Sequence, residues 1–385
     1  MLPILIDISR LLDRKLLGRN PTGIDRVSLA YLQHYRSDAR AVLCLGSRTF
    51  TLSRADSDRC FDLLLGARPA GAPAILRSWA NALARGWWRN GIDRSLLFNT
   101  GHIGLEKPWY AAGLRKSGAR LVCVVHDLIP ITHPEYCRPG RRERHIERIR
   151  NVACLASGVV VNSHHTKQML EGFCLESGLK PPRTIVAPLG TNLPTLPTDR
   201  VPVNEPYFVV LGNIEPRKNH WMLLQLWRRL IDLRGAAAPR LLVIGQRAWE
   251  CENVVDLLER CEQLRGFVVE HPSCGDKELV NTLKYACALL YPSFVEGYGL
   301  PIAEALSLGV PVIASDLPVF REFAGEVPEY ADPLDGRRWL ELIEDYARPN
   351  SACRRAQIAR MPAFVAPTWA QHFDQVGKLL EELDH

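Results

Sequence analysis

Two glutamates, Glu296 and Glu304, stand eight positions apart in the second half of the chain. Gly297 and Gly299 lie between them and Pro301 suits the first turn of a helix, so the pattern predicts a tight loop that leads into a helix N-terminus. Free amide groups and the helix dipole favour a phosphate there, and glycines let it approach the backbone. The carboxylates can accept hydrogen bonds from hydroxyl groups. A phosphate beside a polyol indicates a nucleotide sugar. The plainer alternative is a strand, turn and helix in which Glu304 only complements the helix dipole.

A pair of cations, Arg217 and Lys218, follows the apolar run Tyr207–Leu211 and precedes a helical pattern. This order predicts that both side chains lie at the carboxyl edge of a sheet, where ligands bind in open α/β folds. Two fixed cations there can stabilise the negative charge that grows on a leaving phosphate, without a metal. The alternative is an ordinary solvated surface pair.

A histidine, His126, ends the apolar run Leu121–Val125 in the first half of the chain. It too is predicted at the carboxyl edge of a strand, and the alternative is a structural histidine bonded to local backbone. The neighbouring Asp127 can cap the segment that follows. Near the start, Gly23 lies in a short polar stretch that follows the first predicted strand after a basic connection.

Several of these segments resemble motifs of one enzyme family. The spacing of Glu296 and Glu304 resembles the glutamate-x7-glutamate signature of retaining glycosyltransferases of family 4, mannosyltransferases among them, which have the two-domain GT-B fold. The segment Leu211–Asn219 resembles the phosphate-binding loop of that family, and Val124–Leu128 resembles its histidine motif. The stretch Thr22–Val27 is similar to its glycine loop, with one glycine where many members have two.

The resemblance implies a role for each candidate residue. Glu296 would contact hydroxyl groups of the donor sugar, Glu304 would accept from the ribose, and backbone amides from Gly297 to Leu300 would hold sugar and phosphate. His126 would touch the donor sugar, and Gly23 would lie against the donor phosphates. The candidate catalytic residues are His126, Arg217, Lys218 and Glu296, and the candidate donor-binding residues are Gly23, Arg217, Lys218, Glu296, Gly297, Tyr298, Gly299, Leu300 and Glu304. No cofactor or metal is expected besides the nucleoside diphosphate sugar that serves as donor substrate.

The fold that these patterns predict is α/β: GT-B, with two Rossmann-like domains whose parallel sheets face a central cleft. Short apolar runs alternate with longer amphipathic stretches through both halves. The runs are Pro3–Ile8, Ala41–Gly46, Ser95–Asn99, Arg120–His126, Gly158–Asn162 and Thr184–Ala187, then Tyr207–Leu211, Leu241–Gly245, Phe267–His271, Ala286–Tyr291 and Pro311–Ser315.

Four segments follow from this alternation in a chain of 385 residues, which is long for one core. Residues 1–190 are predicted as an acceptor-binding domain and residues 207–367 as a nucleotide-sugar-binding domain. Between them, 191–206 is rich in proline and turn formers and is predicted as a linker. Residues 368–385 form a predicted amphipathic helix, which by the resemblance crosses back to the first domain.

The composition is that of a globular protein, with 47% hydrophobic and 23% charged residues. No apolar run approaches the ~18 residues that span a bilayer, and the amino terminus lacks the basic segment of a signal peptide. Eleven scattered cysteines are expected to be reduced thiols. These observations predict a cytoplasmic protein.

The charge is unevenly distributed along the chain. Residues 1–200 hold 29 basic and 16 acidic side chains, a net charge of +13, and the remainder has a net charge of −7. A basic half indicates an anionic neighbour, and an anionic membrane or a phosphorylated lipid acceptor fits better than nucleic acid. The segment Leu76–Asn90 mixes tryptophans and arginines, so it is a candidate for peripheral contact with the inner face of the cell membrane. Core packing of its tryptophans is the alternative.

The function predicted from these observations is retaining transfer of a sugar from a nucleoside diphosphate to a saccharide or lipid-linked saccharide. A GDP-mannose-like donor and bacterial surface polysaccharide assembly are expected from the resemblance. One alternative keeps the fold and makes the chain a nucleotide-sugar epimerase or sugar synthase. Another makes it a non-catalytic module that binds glycans or a partner protein. The string Asp56-Ser-Asp58 leaves a metal-dependent mechanism as a further alternative.

Overall fold

The structure is a computed structural model that describes residues 2–19, 21–45, 48–66, 95–191 and 205–384. The chain divides into two compact units. The first comprises Met1–Ile131, Gly140–Leu189 and Trp369–His385, and the second comprises Thr132–Pro139 and Gly190–Thr368. No sequence pattern indicated that the short segment Thr132–Pro139 belongs to the second unit.

The first unit is built on a seven-stranded sheet with the order β3-β2-β1-β4-β5-β6-β7. All neighbouring strands are parallel except β2 and β3, which form an antiparallel pair at one edge. The strands are β1 (Ile4–Asp7), β2 (Ala39–Leu45), β3 (Arg48–Thr51), β4 (Leu96–Asn99), β5 (Arg120–Val125), β6 (Ala156–Val161) and β7 (Thr184–Val186).

The helices of this half of the chain connect the strands and bury one face each. They are α1 (Ser9–Leu16), α2 (Gly23–Tyr35), α3 (Arg54–Leu64), α4 (Pro108–Ser117), α5 (Ile129–Thr132), α6 (Arg141–Leu155) and α7 (His164–Glu176). Valine and leucine of the central strands β5 and β6 are fully buried, because a parallel sheet is covered on both faces.

The last helix, α15 (Trp369–Asp384), packs on the first unit. A Cβ atom at Gly158 of β6 would lie 2.9 Å from the Leu379 side chain, so the helix needs a bare backbone to approach the sheet. His372 donates from Nδ1 to the carbonyl oxygens of Ala187 and Pro188 and accepts at Nε2 from the Tyr31 hydroxyl at 2.9 Å. Both polar atoms of this buried ring are therefore used.

The second unit has a six-stranded parallel sheet with the order β10-β9-β8-β11-β12-β13. Its strands are β8 (Tyr207–Leu211), β9 (Arg240–Ile244), β10 (Val268–His271), β11 (Leu289–Tyr291), β12 (Val312–Ser315) and β13 (Glu329–Ala331). Its helices are α8 (His220–Arg234), α9 (Glu252–Arg260), α10 (Asp276–Lys284), α11 (Leu300–Ser307), α12 (Pro318–Ala324), α13 (Gly336–Tyr346) and α14 (Ala352–Arg360).

Alternate residues of β8 enter different hydrophobic cores, as the pleat of a strand requires. Tyr207 and Val209 pack in one cluster, whereas Phe208 and Val210 pack in the other. Both faces of the sheet are thus covered, which explains why the run reads as continuously apolar in the sequence.

The predicted strands all find a counterpart, with ends that differ by a few residues. Two observed strands were missed: β3, which pairs with β2, and the edge strand β13. Most of the predicted linker and all of Leu76–Asn90 lie outside the described residues. The linker and the membrane-contact segment therefore stay predictions from the sequence.

Candidate functional site

The second sheet reverses its strand order between β8 and β11, and ligands of open α/β sheets bind at such a switch point. Arg217 and Lys218 follow β8 in the 3-10 turn Pro216–Lys218, and Glu296 follows β11. The carbonyl of Arg217 accepts from the amide of Phe294 at 2.8 Å, which ties the two loops together. The structure therefore brings the predicted cations and the first predicted glutamate into one cluster.

Glu296 bridges both cations. Its Oε2 atom lies 2.5 Å from Nη1 of Arg217, and its Oε1 atom lies 2.6 Å from Nζ of Lys218. A second carboxylate, Glu215, lies 2.6 Å from Nη2 of Arg217. Two buried carboxylates thus balance two cations, so the cluster is close to neutral before any phosphate arrives.

Lys218 is fixed from two further sides. Its Nζ donates to the Tyr291 hydroxyl at 2.6 Å and lies 4.4 Å from the centre of that ring. Gly212 has a φ of 142° and a Cβ atom there would stand 3.2 Å from Cε of Lys218, so a side chain at position 212 would crowd the lysine. The ammonium group is held in one place, as a group that stabilises developing charge must be.

The electrostatics of this cluster follow from burial and close pairing. Burial alone would raise the pKa of Glu296, but Arg217 and Lys218 outweigh it and lower that pKa to about 2. Burial lowers the pKa of Lys218 below its ordinary value, and Glu296 offsets only part of this effect. Burial also acts to lower the pKa of Arg217, yet Glu296 and Glu215 raise it overall. The glutamate is a carboxylate near neutral pH and not an acid.

The predicted glycine loop leads into helix α11, as the sequence indicated. Gly299 has a φ of 113°, and a Cβ atom there would lie 2.8 Å from the Phe320 ring, so this position requires glycine. Tyr298 is buried and stacks on Phe323 with 4.9 Å between ring centres, which leaves its backbone as the part that can face a ligand. Leu300 begins the helix, and Glu304 is buried in it.

In the first unit, His126 lies just after β5 and is 5% exposed. Its Nε2 donates to the Thr100 carbonyl at 2.7 Å. The Asn162 side chain donates to the backbone carbonyl of His126 at 2.9 Å. Burial lowers its pKa, and the Thr100 bond and the nearby Asp127 oppose this only in part. Burial therefore favours the neutral ring, and because Nε2 faces a carbonyl oxygen, Nδ1 is its acceptor. The backbone bond that the structural alternative required is present.

Gly23 is the first residue of helix α2 and is not part of a loop as the sequence suggested. Thr22 caps the helix, and Asp25 completes a capping box by accepting from the Thr22 amide at 2.7 Å. Asp25 is buried and also pairs with Arg10 and Arg14, each at 2.7 Å. Two arginines of the basic segment that follows β1 therefore pair with one carboxylate.

Three participants were missed at the sequence level. Glu215 stands two residues before Arg217, so an acid beside two cations could have been recognised as their counterion. Tyr291 was taken as the end of a strand. Tyr136 lies in the excursion of the chain into the second unit and stacks on Phe294 at 5.4 Å, a contact that no local pattern reveals.

The acidic string has a structural role in the described residues. Asp56 lies in the first turn of α3, where it accepts from the hydroxyl of the N-cap Ser53 at 2.6 Å, and Asp58 pairs with Arg54. Among the residues that the structure describes, no group of three or more His, Cys, Asp or Glu side chains could hold a metal ion. None of the eleven cysteines, all of which lie within the described residues, forms a disulfide. No helix within the described ranges is long and apolar enough to cross a membrane.

Comparison with known proteins gives one family match and several named relatives. Residues 198–327 match the family model described as glycosyl transferases group 1. The chain is 28% identical over 300 residues to the serotype-specific mannosyltransferase WbdA of Escherichia coli, a match that covers 68% of this chain and 36% of that protein. It is 30% identical over 228 residues to the O-antigen chain mannosyltransferase B of E. coli, covering 56% of this chain and 58% of that protein. The chain thus spans about a third of the length of WbdA.

Solved structures show the fold. The chain superimposes on Anabaena Alr3699/HepE in complex with UDP and glucose with a TM-score of 0.68 at 16% identity, covering 99% of this chain and 100% of that one. It superimposes on the trehalose 6-phosphate synthase of Burkholderia multivorans with a TM-score of 0.64 at 12% identity, covering 100% of this chain and 99% of that one. The predicted class, two Rossmann-like α/β domains of the GT-B type, is confirmed, and the matches together support a glycosyltransferase.

Proposed function

We propose that the protein is a hexosyltransferase that moves a sugar from a nucleoside diphosphate to a saccharide in polysaccharide biosynthesis. The observation that carries the proposal is the cluster of Arg217, Lys218 and Glu296 at the switch point of the second sheet, beside the N-terminus of α11. The family match over residues 198–327 covers this cluster. Mannosyltransferases among the relatives favour the same class of reaction.

The chemistry that the cluster supports is charge stabilisation of the leaving diphosphate. When the glycosidic bond breaks, negative charge grows on the phosphate oxygens, and Arg217 and Lys218 are already fixed to receive it. Glu296 forms ion pairs with both cations. A bound diphosphate therefore either displaces this carboxylate or shares Arg217 and Lys218 with it. In the proposed complex this carboxylate turns to the sugar hydroxyls, and Glu304 accepts from the ribose. The amides of Gly297 to Leu300 supply the neutral donors.

We also propose that the transfer retains the anomeric configuration of the donor sugar and needs no divalent metal ion. The leaving phosphate would help to deprotonate the incoming hydroxyl on the same face of the sugar, so that no protein nucleophile is needed. The two protein cations would take the place of a divalent ion. For His126 and Gly23 we keep the roles that the resemblance implies, contact with the donor sugar and with the donor phosphates.

The donor we propose is GDP-mannose or a related sugar, because WbdA and the O-antigen chain mannosyltransferase B are named mannosyltransferases. An open cavity of about 400 Å³ lies at the carboxyl ends of β9 and β10, lined by Gln246, Arg247, Glu270, Pro272 and Ser273. We propose it for the nucleobase. Glu270 pairs with Arg247 at 2.7 Å and can accept from the amide and amino hydrogens of guanine, which uracil does not offer in that arrangement.

The test is a donor screen with the full chain. Thermal shift with GDP, UDP, ADP and CMP identifies the nucleotide, and release of the nucleotide from the matching sugars, with EDTA and then with Mg²⁺ or Mn²⁺, measures turnover. GDP should give the largest shift, and Glu270→Gln should reduce it while leaving the UDP shift unchanged. A larger shift with UDP in the wild type would exclude the guanine assignment. Turnover that needs a divalent ion would exclude the metal-independent mechanism.

A cytoplasmic location with peripheral contact at an anionic membrane completes the proposal, and its basis is the net charge of +13 in residues 1–200. Purified protein should sediment with vesicles that contain anionic lipid at low salt and be released at high salt. Joint replacement of Arg85, Trp87, Trp88 and Arg89 should weaken this binding. Protein that ignores such vesicles while transferring sugar to a soluble oligosaccharide would exclude membrane contact.

A further inference from the structure

A short 3-10 turn of the second unit, Pro134–Tyr136, places an aromatic ring against the loop that carries Glu296. The Tyr136 amide donates to the His133 carbonyl at 3.2 Å, and the Cys137 amide donates to the Pro134 carbonyl at 3.0 Å. Pro134 also fixes its own φ at the start of the turn. The turn therefore presents the Tyr136 ring from a backbone with little conformational freedom.

The Tyr136 ring stacks on Phe294, which lies two residues before Glu296. The two ring planes are within 1° of parallel and their centres are 5.4 Å apart, a separation at which aromatic pairs attract each other. His133 in turn stacks on Tyr136, with 6.2 Å between ring centres. Tyr136 and Phe294 are both partly buried, and both belong to the second unit. The Phe294 ring is therefore held by a segment that is distant in the sequence.

The backbone around Phe294 is tied to the cluster of Arg217, Lys218 and Glu296. The Phe294 amide donates to the Arg217 carbonyl at 2.8 Å, and Nη1 of Arg217 donates to the Val295 carbonyl at 3.2 Å. The same Nη1 atom pairs with the Glu296 carboxylate. A displacement of Phe294 would therefore move the arginine and the glutamate from the positions in which they now meet.

We propose that Tyr136 is a positioning residue for the transfer reaction, because its ring, stacked on Phe294, holds the loop that fixes Arg217 and Glu296. The proposal rests on the proposed transferase function. Groups that stabilise developing charge are most effective when they need no reorganisation at the moment of reaction. Loosening of this loop should therefore raise the barrier to transfer more than it weakens binding of the donor.

Four single variants of the full chain test this role. Tyr136→Leu removes the stacked ring, whereas Tyr136→Phe keeps the ring and loses only the hydroxyl group. Phe294→Leu removes the other ring of the stack. Phe267→Leu is the matched control, because Phe267 is also partly buried in the second unit and Cζ of Arg240 lies 4.4 Å from its ring centre. Phe267 directly precedes β10, so it lies at the amino edge of the sheet, away from the loop.

Steady-state kinetics with GDP-mannose, or with the nucleotide sugar that the donor screen selects, separate kcat from the KM of the donor. Tyr136→Leu should lower kcat about threefold to tenfold, the range expected for one aromatic pair, while KM changes less than about twofold. Tyr136→Phe and Phe267→Leu should stay within about twofold of wild type. Phe294→Leu should match Tyr136→Leu, and the double variant should lose little more, because both changes remove the same contact.

A kcat of Tyr136→Leu equal to that of Phe267→Leu would overturn the proposal, as would a rise in donor KM alone or an equal loss in Tyr136→Phe. Should the wild type transfer no sugar, the proposed function fails first, and hydrogen exchange of the Phe294 amide then tests the hold on the loop by itself. Faster exchange in Tyr136→Leu than in Phe267→Leu would support that hold, and equal exchange would overturn it. If Tyr136→Leu does not fold, Phe294→Leu against Phe267→Leu decides by the same kinetics.

Discussion

The two units hold their partly buried cations in different ways. In the second unit, Arg217 and Lys218 meet two carboxylates, Glu215 and Glu296, so their charges are balanced. In the first unit, Arg10 and Arg14 share the single carboxylate of Asp25. A buried cation needs a partner in both places, because an isolated buried charge is costly. The difference lies in the acids of each cluster: two carboxylates in the second unit, and one carboxylate between two arginines in the first.

The cations of the second unit were easier to predict from the sequence than those of the first. Arg217 and Lys218 are adjacent in the sequence, and the loop with Glu296 carries its own glycine and proline pattern, so local spacing was enough. Arg10 and Arg14 lie in α1, whereas Asp25 lies in the next helix, α2. They meet because α1 packs beside α2, a tertiary contact that local spacing does not reveal.

The largest effect on turnover should come from replacing the two cations of the second unit, Arg217 and Lys218. Arg217→Ala and Lys218→Ala should each lower turnover about 10²-fold to 10³-fold, the usual cost of removing one preorganised group that stabilises charge. Arg229→Ala, which removes an exposed cation from α8, should leave turnover unchanged. Steady-state rates of nucleotide release measure all three. Turnover near that of wild type in both cluster variants would show that these cations do not hold the leaving phosphate.

Replacement of Glu296 and replacement of Glu304 should impair different properties of the protein. Glu296→Gln should mainly lower the rate of transfer, because this side chain is expected at the sugar. Glu304→Gln should mainly weaken binding of the free nucleoside diphosphate, by about tenfold, because it is expected at the ribose. Titration calorimetry and turnover on the same preparations separate the two effects. Poor nucleotide binding by Glu296→Gln with normal binding by Glu304→Gln would reverse the assignment.

Two buried histidines give a matched comparison of stability between the units. His372 in the first unit uses both ring nitrogens, and its replacement by leucine should cost about 1–3 kcal/mol because Tyr31 and two carbonyl oxygens lose their partner. His220 in the second unit has no hydrogen-bonding partner for either nitrogen among the described residues, and its neighbours, which include Leu223 and Leu224, are apolar. His220→Leu should therefore be neutral or stabilising. Chemical denaturation compares the two variants, and equal losses would contradict the difference.

A smaller effect should appear in the dependence of stability on pH. Burial lowers the pKa of His372 to about 4, so the unfolded chain binds its proton at higher pH than the folded chain does. The free energy of unfolding should fall as the pH drops from about 6.5 towards 4. Glu296 acts in a lower window: its contribution is present above about pH 4.3 and is lost as the pH falls towards 2.

Thermal melts across these pH values check both windows. His372→Gln should flatten the dependence between pH 6.5 and 4, and Glu296→Gln should flatten it only below about 4.3. A Glu296→Gln variant with the same acid sensitivity as wild type below that value would show that the carboxylate is not held by its cations.

The sequence predicted the strands of both sheets well because the runs are continuously apolar, as strands covered on both faces must be. It missed β3 and β13, which are short edge strands without such a run. The positions of Lys218 and Gly299 were predictable from turn and helix chemistry. The contacts of Tyr291 with Lys218 and of Tyr136 with Phe294 depend on how distant segments pack, and no local pattern encodes them.

The most direct test of the central proposal is a single NMR time course. Wild-type protein is mixed with GDP-mannose, a mannose-terminated oligosaccharide and EDTA, and the phosphorus signals of the nucleotide are followed together with the anomeric proton of the product. The proposal predicts that GDP appears at the same rate as a new α-linked residue, which retains the configuration of the donor. Formation of a β-linked product would contradict retention. The absence of any GDP release or transfer, with this donor and with the UDP, ADP and CMP sugars, even after Mg²⁺ or Mn²⁺ is added, would contradict the assignment as a glycosyltransferase.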